Sequence, residues 1–354
     1  MGLAKIQSEL AANGIFPYGS IELTRFEQHL SRYFGREYAR HNSGSDHPEV
    51  YGVSSFSGEM TTPSCRAASV QQHYDTEFQV FRAFLDKEYL AYTMAYYGST
   101  STEIEAATCS LEGAQKRKYQ LVVSRAQVED GQRVLDIGCG FGGLSKYLLQ
   151  NFKHLRVTAV NPSVMQSAYI RTRMQEPRNP LSSGRFRLIP AFFDQIPDTE
   201  LGTCSYDRVI SLGLLEHISN MDLLFQKIAR LLAPKGKTFH HCIVSIPTIP
   251  QFLEAENTRM GHYYPGAHIW PFDEPARHCT HVELANKWFV NGLNYWRTLD
   301  SWHQRFWGSI NELFPSHMDQ KQVHDWNRYF SLCKAMFAPR DGSLYGNGQY
   351  LYEL

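Results

Sequence analysis

The sequence predicts an α/β protein built on a doubly wound parallel sheet, and two observations carry that expectation. Between Arg133 and Ser245, short apolar runs alternate with stretches of helical period, the pattern of strands joined by crossover helices. The first of these strands also hands over to the first helix through a glycine-rich turn, Gly138 to Gly143.

Composition limits the answer before any element is placed. The chain has 354 residues, 43% hydrophobic and 20% charged, enough to bury a large core. Lys plus Arg balances Asp plus Glu at 35 each, so the basic footprint of a nucleic-acid binder is missing and no such partner is expected. The opening "MGLAKIQSELAANGIF" lacks the apolar core of a signal peptide, and no window approaches the roughly 20 continuous apolar residues of a membrane span. A cytoplasmic location is the expectation. The seven cysteines are scattered and include no C-x-x-C pair, so they are expected to be reduced thiols, without disulfides or zinc. Aromatic residues make up 13% and hint at an aromatic-walled pocket.

Along the chain, residues 1–37 read as helical, with Ile21, Leu23, Phe26, Leu30 and Phe34 near a 3.6 period. Residues 38–69 are rich in Ser, Gly and Pro and read as a linker or covering loop. That boundary separates a helical N-terminal extension, 1–69, from a main domain, 70–354. There follow an amphipathic helix in "VQQHYDTEFQVFRAFLD", an irregular turn in "YLAYTMAYYG" and a helix in "LEGAQKRKYQLVVSRAQV". Strands are expected at "RVLDIGCG", "RVTAVNPS", "FRLIPAF", "YDRVISLG" and "KGKTFHHCIVS", with helices in "GGLSKYLLQNF", "VMQSAYIRTRMQE" and "NMDLLFQKIARLL". From about 247 to 335, the irregular "YYPGAHIWPFDEPARH" and the helices "TLDSWHQRFWGSINELF" and "DWNRYFSLCKAMF" are expected to cap the ligand crevice. A last strand lies near "GQYLYEL".

Gly138, Gly140 and Gly142 permit positive φ and let a ligand approach the backbone at the sheet's carboxyl edge. The spacing alone leaves NAD, FAD and S-adenosylmethionine open. Asp136, two residues before the first glycine, selects among them. A carboxylate there holds the ammonium of an amino-acid ligand and repels a pyrophosphate, which points to S-adenosylmethionine. The plainer alternative is that Asp136 only caps the loop or helix. At the end of the second strand stands Asn161, where nucleotide folds often place an acid, so hydroxyl contacts fall to this amide with Ser163 and Gln166.

These residues belong to an ordered series: "HYDTEFQVFRAFLD", "YTMAYYG", "LEGAQKRK", "VLDIGCGFGG", "VNPSVMQ", "YDRVISLGLLEHI", "NGLNYWRTLDSWHQRF" and "RYFSLCKAMFAPRD". The series resembles the S-adenosylmethionine-dependent cyclopropane fatty acid synthases, with the related mycolic acid cyclopropane synthases and coclaurine N-methyltransferases, from about Gln72 to the C-terminus. The resemblance implies a seven-stranded Rossmann-like methyltransferase sheet. It implies cofactor contacts from Tyr74, Tyr92, Thr93, Asp136, Gly138, Gly140, Asn161, Ser163 and Gln166. Gln115 and Lys118 match the family's "AQ--K" helix, although Lys118 could equally be a solvated lysine. Where the family has an acid and an aromatic at the adenine, Ala191 lacks the acid and Phe192 could stack.

In the synthases a bicarbonate ion takes the proton released after methyl transfer. The resemblance places Glu216, His241, Ile243 and Tyr329 around that ion, with Met94 replacing the family's cysteine. An alkene that attacks a sulfonium methyl leaves a carbocation, and a base within hydrogen-bond reach directs which proton leaves. Each residue also has a plainer role: Glu216 organising its loop, His241 satisfied in the core, Tyr329 packing in an aromatic helical stripe. Gly213 stands where amine methyltransferases commonly carry a second glutamate, which favours a carbon nucleophile. The family's "F-P-G-G" is replaced by "WPFDEP", Trp270 to Pro275, bringing Asp273 and Glu274 and pointing away from a long acyl chain.

The leading expectation is transfer of a methyl or methylene group to an alkene or other carbon of an apolar small molecule or acyl chain. Amine N-methylation is the alternative, and a binding module without catalysis is the third. No resident metal is expected, because His240 and His241 are strand neighbours that face opposite ways. Peripheral membrane contact and a homo-oligomer stay open.

Overall fold

The computed structural model describes residues 2–43, 58–61, 77–246, 251–253 and 267–354. The chain opens with α1 (Leu3–Ala12) and α2 (Ile21–Ser43). Residues 38–43, expected to be linker, instead continue α2, which runs through Gly35 to Ser43. There follow α3 (Phe78–Phe84), α4 (Ser101–Ala106), closed by a Thr100 and Glu103 capping box, and α5 (Leu111–Arg125).

Five parallel strands form the centre of the sheet: β1 (Arg133–Ile137), β2 (Arg156–Val160), β3 (Phe186–Ile189), β4 (Tyr206–Leu212) and β5 (Leu232–Ser245). The crossover helices are α6 (Gly143–Asn151), α7 (Val164–Met174) and α8 (Met221–Leu231). The strands pair in the order β3-β2-β1-β4-β5, so the chain reverses direction at β1 and opens a crevice at its carboxyl end. A short pair, β6 (Gln251–Leu253) and β7 (Ala267–Pro271), attaches to the end of β5. The sheet is completed by β8 (Glu283–Asn291) and β9 (Tyr345–Glu353), with β9 antiparallel between β5 and β8.

The path β3-β2-β1-β4-β5-β9-β8 is the expected seven-stranded sheet; β6 and β7 raise the total to nine. Three strands escaped the sequence reading: β6, only three residues long, and β7 and β8, each for its own reason. β7, "AHIWP", is buried at every position and so shows no polar alternation. β8, "ELANKWFVN", is half-exposed along most of its length and carries too few apolar residues to register as a strand.

Helices α9 (Leu293–Gly308) and α10 (Gln320–Phe337) close over the crevice. Trp302, Phe306 and Phe330 from this pair share one core with Ile6, Leu10 and Leu30 from α1 and α2. Polar ties reinforce it: Tyr18 donates to Asp300 at 2.9 Å, and Lys334 pairs with Glu27 at 2.9 Å and Asp300 at 3.1 Å. The N-terminal helices therefore brace the cap from outside. No helix among the described residues is long and apolar enough to cross a membrane.

Candidate active site

At the carboxyl end of β1 the backbone must turn sharply to enter α6. Gly138, Gly140 and Gly142 adopt φ of +74°, +57° and +80°, conformations that cost a side-chain-bearing residue about 1–2 kcal/mol each. The amides of Gly138 and Cys139 are tied to the Val160 carbonyl at 2.9 and 3.1 Å. Asn161 holds the loop from behind, donating to the Gly140 carbonyl and to Gln166 Oε1, both at 3.0 Å. Ser163 caps α7 by accepting from the Gln166 amide.

Asp136, Gly138, Gly140 and Gln166 line a cavity; Asn161 and Ser163, expected to contact the cofactor, are buried outside the lining and act through Gly140 and Gln166. Asp136 accepts from Ser145 Oγ at 2.7 Å. Burial pushes its carboxyl up to about 6, against the opposing effect of the Ser145 bonds.

The irregular segment after α3 forms the facing wall. Such a buried loop needs partners for its amides, and side chains supply them. Asp86 accepts from Tyr89 and Ala91 at 2.6 and 2.7 Å, Thr298 from Ala95 at 2.9 Å, and Asn294 from Tyr97 at 2.7 Å. Gln115 donates to the Thr93 carbonyl and Lys118 to the Thr93 hydroxyl, both at 2.9 Å. Gln115 thus acts on the cavity through Thr93. Lys118 is fully buried, and burial lowers its ammonium to about 7; it is no solvated lysine. Tyr92, Thr93 and Met94 line the cavity, and Tyr92 donates to the Tyr329 hydroxyl at 3.2 Å.

β4 is followed by Gly213 at φ +78°, where an added Cβ would lie 3.3 Å from Thr93 Cγ2. The following 3-10 turn, Leu215–His217, carries Glu216. Its Oε1 accepts from the Ile243 amide at 2.7 Å, while its buried Oε2 has no partner. Burial raises this carboxyl from 4.5 to about 7. Among the described residues, Asp136 and Glu216 are the only acids lining the cavity, and the rest is largely apolar, including Ile243, Ile269, Leu299, Met336 and Phe337.

The neighbouring strands supply the remaining polar atoms. His241 lines the cavity, its Nδ1 3.0 Å from Gln349 Nε2 and its Nε2 buried without a partner. Desolvation first, then the Lys118 and Arg125 charges, lower this imidazole to about 3. Its neighbour His240 faces the other way, bonded to Ser211 and Thr238 at 2.7 and 2.8 Å. Asn347 also lines the cavity, with a buried, unpartnered Oδ1.

The fold therefore brings Glu216, His241, Ile243 and Tyr329 into one chamber with Tyr92, Thr93 and the glycine loop. Phe192 follows β3, half-buried and outside the lining. Tyr74 lies outside the described residues. Asp273 and Glu274 do not line the cavity: Asp273 pairs with Lys287, and Glu274 with Arg277 at 3.1 Å and His278 at 3.6 Å. The reading missed His268, stacked on Trp270 at 4.9 Å, and also Asn347 and Gln349. A signal for the last two existed: in "YGNGQYLYEL" these polar residues are two apart, hence on one strand face, while Tyr350 and Tyr352 take the other.

A family model described as mycolic acid cyclopropane synthetase matches residues 62–345. A probable (S)-tetrahydroprotoberberine N-methyltransferase of Papaver bracteatum is 30% identical over 200 residues, 55% of this chain and 54% of that one. The cyclopropane-fatty-acyl-phospholipid synthase of Escherichia coli (strain K12) is 26% identical over 278 residues, 78% of this chain and 65% of that one. The chain thus spans a little over half of the first relative and about two thirds of the second. A solved coclaurine N-methyltransferase bound to N-methylheliamine and SAH superposes with a TM-score of 0.77 at 20% identity, covering 99% of this chain and 98% of that one. With four fifths of its length under one family model and the glycine loop, Glu216 and His241 converging on one cavity, the chain belongs to the mycolic acid cyclopropane synthetase family.

Proposed function

We propose that this protein is an S-adenosylmethionine-dependent methyltransferase acting on a carbon of an apolar molecule. The residues present fit the cofactor. Asp136 offers a buried carboxylate to an ammonium, and Gly140, at a φ of +57° that disfavours a side chain, leaves backbone open at the cavity wall. Bound there, S-adenosylmethionine would supply an electrophilic methyl group.

The observation that carries the acceptor reading is the unpartnered Glu216 Oε2 facing an apolar chamber. A carboxyl raised to about 7 is partly ionised at neutral pH, matched to taking a proton from a cationic carbon. Gly213, held at positive φ with an added Cβ 3.3 Å from Thr93 Cγ2, supplies no second acid and disfavours one. A bicarbonate ion in the same chamber would need Glu216 in its protonated form and His241 Nε2 as donors, with Asn347 Oδ1 accepting from the ion's hydroxyl; such an ion would then supply the base in place of Glu216. Leu299, Met336 and Phe337 would exclude water and orient the apolar acceptor.

The second reading is amine N-methylation, favoured by the tyrosine rings of Tyr92 and Tyr329 in the same chamber as the Glu216 carboxyl, an arrangement suited to a cation. Purified protein incubated with methyl-labelled cofactor and fractionated lipid and metabolite extracts separates the two by mass spectrometry. Label at a carbon of an apolar product, with turnover falling when bicarbonate is depleted, supports the first. Label confined to amines, insensitive to bicarbonate, replaces it with the second.

A further inference from the structure

We infer that Gln349, clamped by Arg125, is a positioning residue that keeps His241 in the tautomer whose Nε2 carries the hydrogen into the chamber. The inference rests on three contacts and on the proposed role of His241. Arg125, the last residue of α5, donates from Nη1 to Gln349 Oε1 at 2.5 Å, and its guanidinium lies 4.7 Å from the Trp288 ring of β8. A guanidinium has donors only. Gln349 must therefore present its carbonyl to Arg125 and its NH2 to the other side. On that side stands His241 Nδ1, 3.0 Å from Gln349 Nε2.

An amide NH2 donates, so Nδ1 must accept, and the single hydrogen of a neutral imidazole resides on Nε2. His241 is neutral, being fully buried and facing the Lys118 and Arg125 charges. Its Nε2 is the atom left without a protein partner. The chamber thus receives a fixed donor from β5 beside the Asn347 Oδ1 acceptor from β9 and the Glu216 carboxyl. Had residue 349 been a carboxylate, Nδ1 would carry the hydrogen and Nε2 would face the chamber as an acceptor. Gln349 and Arg125 do not themselves line the chamber; they act through His241.

The test is long-range 1H-15N NMR of the histidine rings at pH 7, with the His241 signal assigned by its loss in His241→Gln. Wild type should show the neutral Nε2-H pattern. Gln349→Met should mix the two tautomers and lower kcat about tenfold or more, with KM for S-adenosylmethionine unchanged within twofold. Gln349→Glu should convert His241 to Nδ1-H and raise its titration by about 2 units. An Nδ1-H pattern in wild type, or an unaltered Nε2-H pattern in Gln349→Met, overturns the inference. Absence of methyl transfer by wild type would instead remove the proposed activity while leaving the tautomer result standing.

Discussion

Replacing Glu216 by Gln should make the protein more stable and less active, and both effects depend on pH. In the folded chain the carboxyl is buried and titrates at about 7, against 4.5 when unperturbed. The folded state therefore favours the protonated form. Its relative stability is fully present below pH 4.5, erodes as pH rises, and is lost above about 7. At about 1.4 kcal/mol per pH unit, the burden at pH 8.5 is about 3 kcal/mol, whereas at pH 5 it is under about 1 kcal/mol. A glutamine keeps an acceptor for the Ile243 amide without ionising. Glu216→Gln should therefore exceed wild type by about 3 kcal/mol in urea denaturation at pH 8.5 and by little at pH 5. Contributions from His217 and His241, which burial lowers to about 4 and about 3, cancel in the difference. Methyl transfer should rise with pH through about 7 in wild type and fall about 100-fold in the variant. Equal wild-type and variant stabilities at pH 8.5 would refute the argument that burial raises this carboxyl.

Asp136→Asn should weaken S-adenosylmethionine binding about 10- to 100-fold by titration calorimetry, and wild-type affinity should decline as pH falls through about 6, where Asp136 protonates. Unchanged affinity in both experiments would leave Asp136 a loop cap. Gly213→Ala should cost about 1–2 kcal/mol in urea unfolding, because the residue sits at φ +78°; Gly213→Glu should cost at least as much, and it should not create amine methylation. Trp302→Phe should change stability by less than about 1 kcal/mol, since the lost contact with Tyr92 at 5.3 Å is offset by removing a buried, unpartnered Nε1.

The sequence alone determined the central sheet, its glycine turn and the acids at its carboxyl edge. These follow from rules acting over a few residues: the period of apolar positions, the glycine spacing, and the placement of Asp136 at the end of β1 and of Glu216 after β4. The tertiary structure decided what each polar group meets. Lys118 turned out to be sealed under Thr93, while Asp273 and Glu274 turned to Lys287 and Arg277. Phe192 lies outside the chamber, and α1 and α2 brace its cap. Arg125, His241 and Gln349 meet across separations of 108 and 224 residues. Local spacing encodes which face a side chain takes on its own element, but not which face of a distant element lies opposite. That choice is made only when strands pair and helices pack.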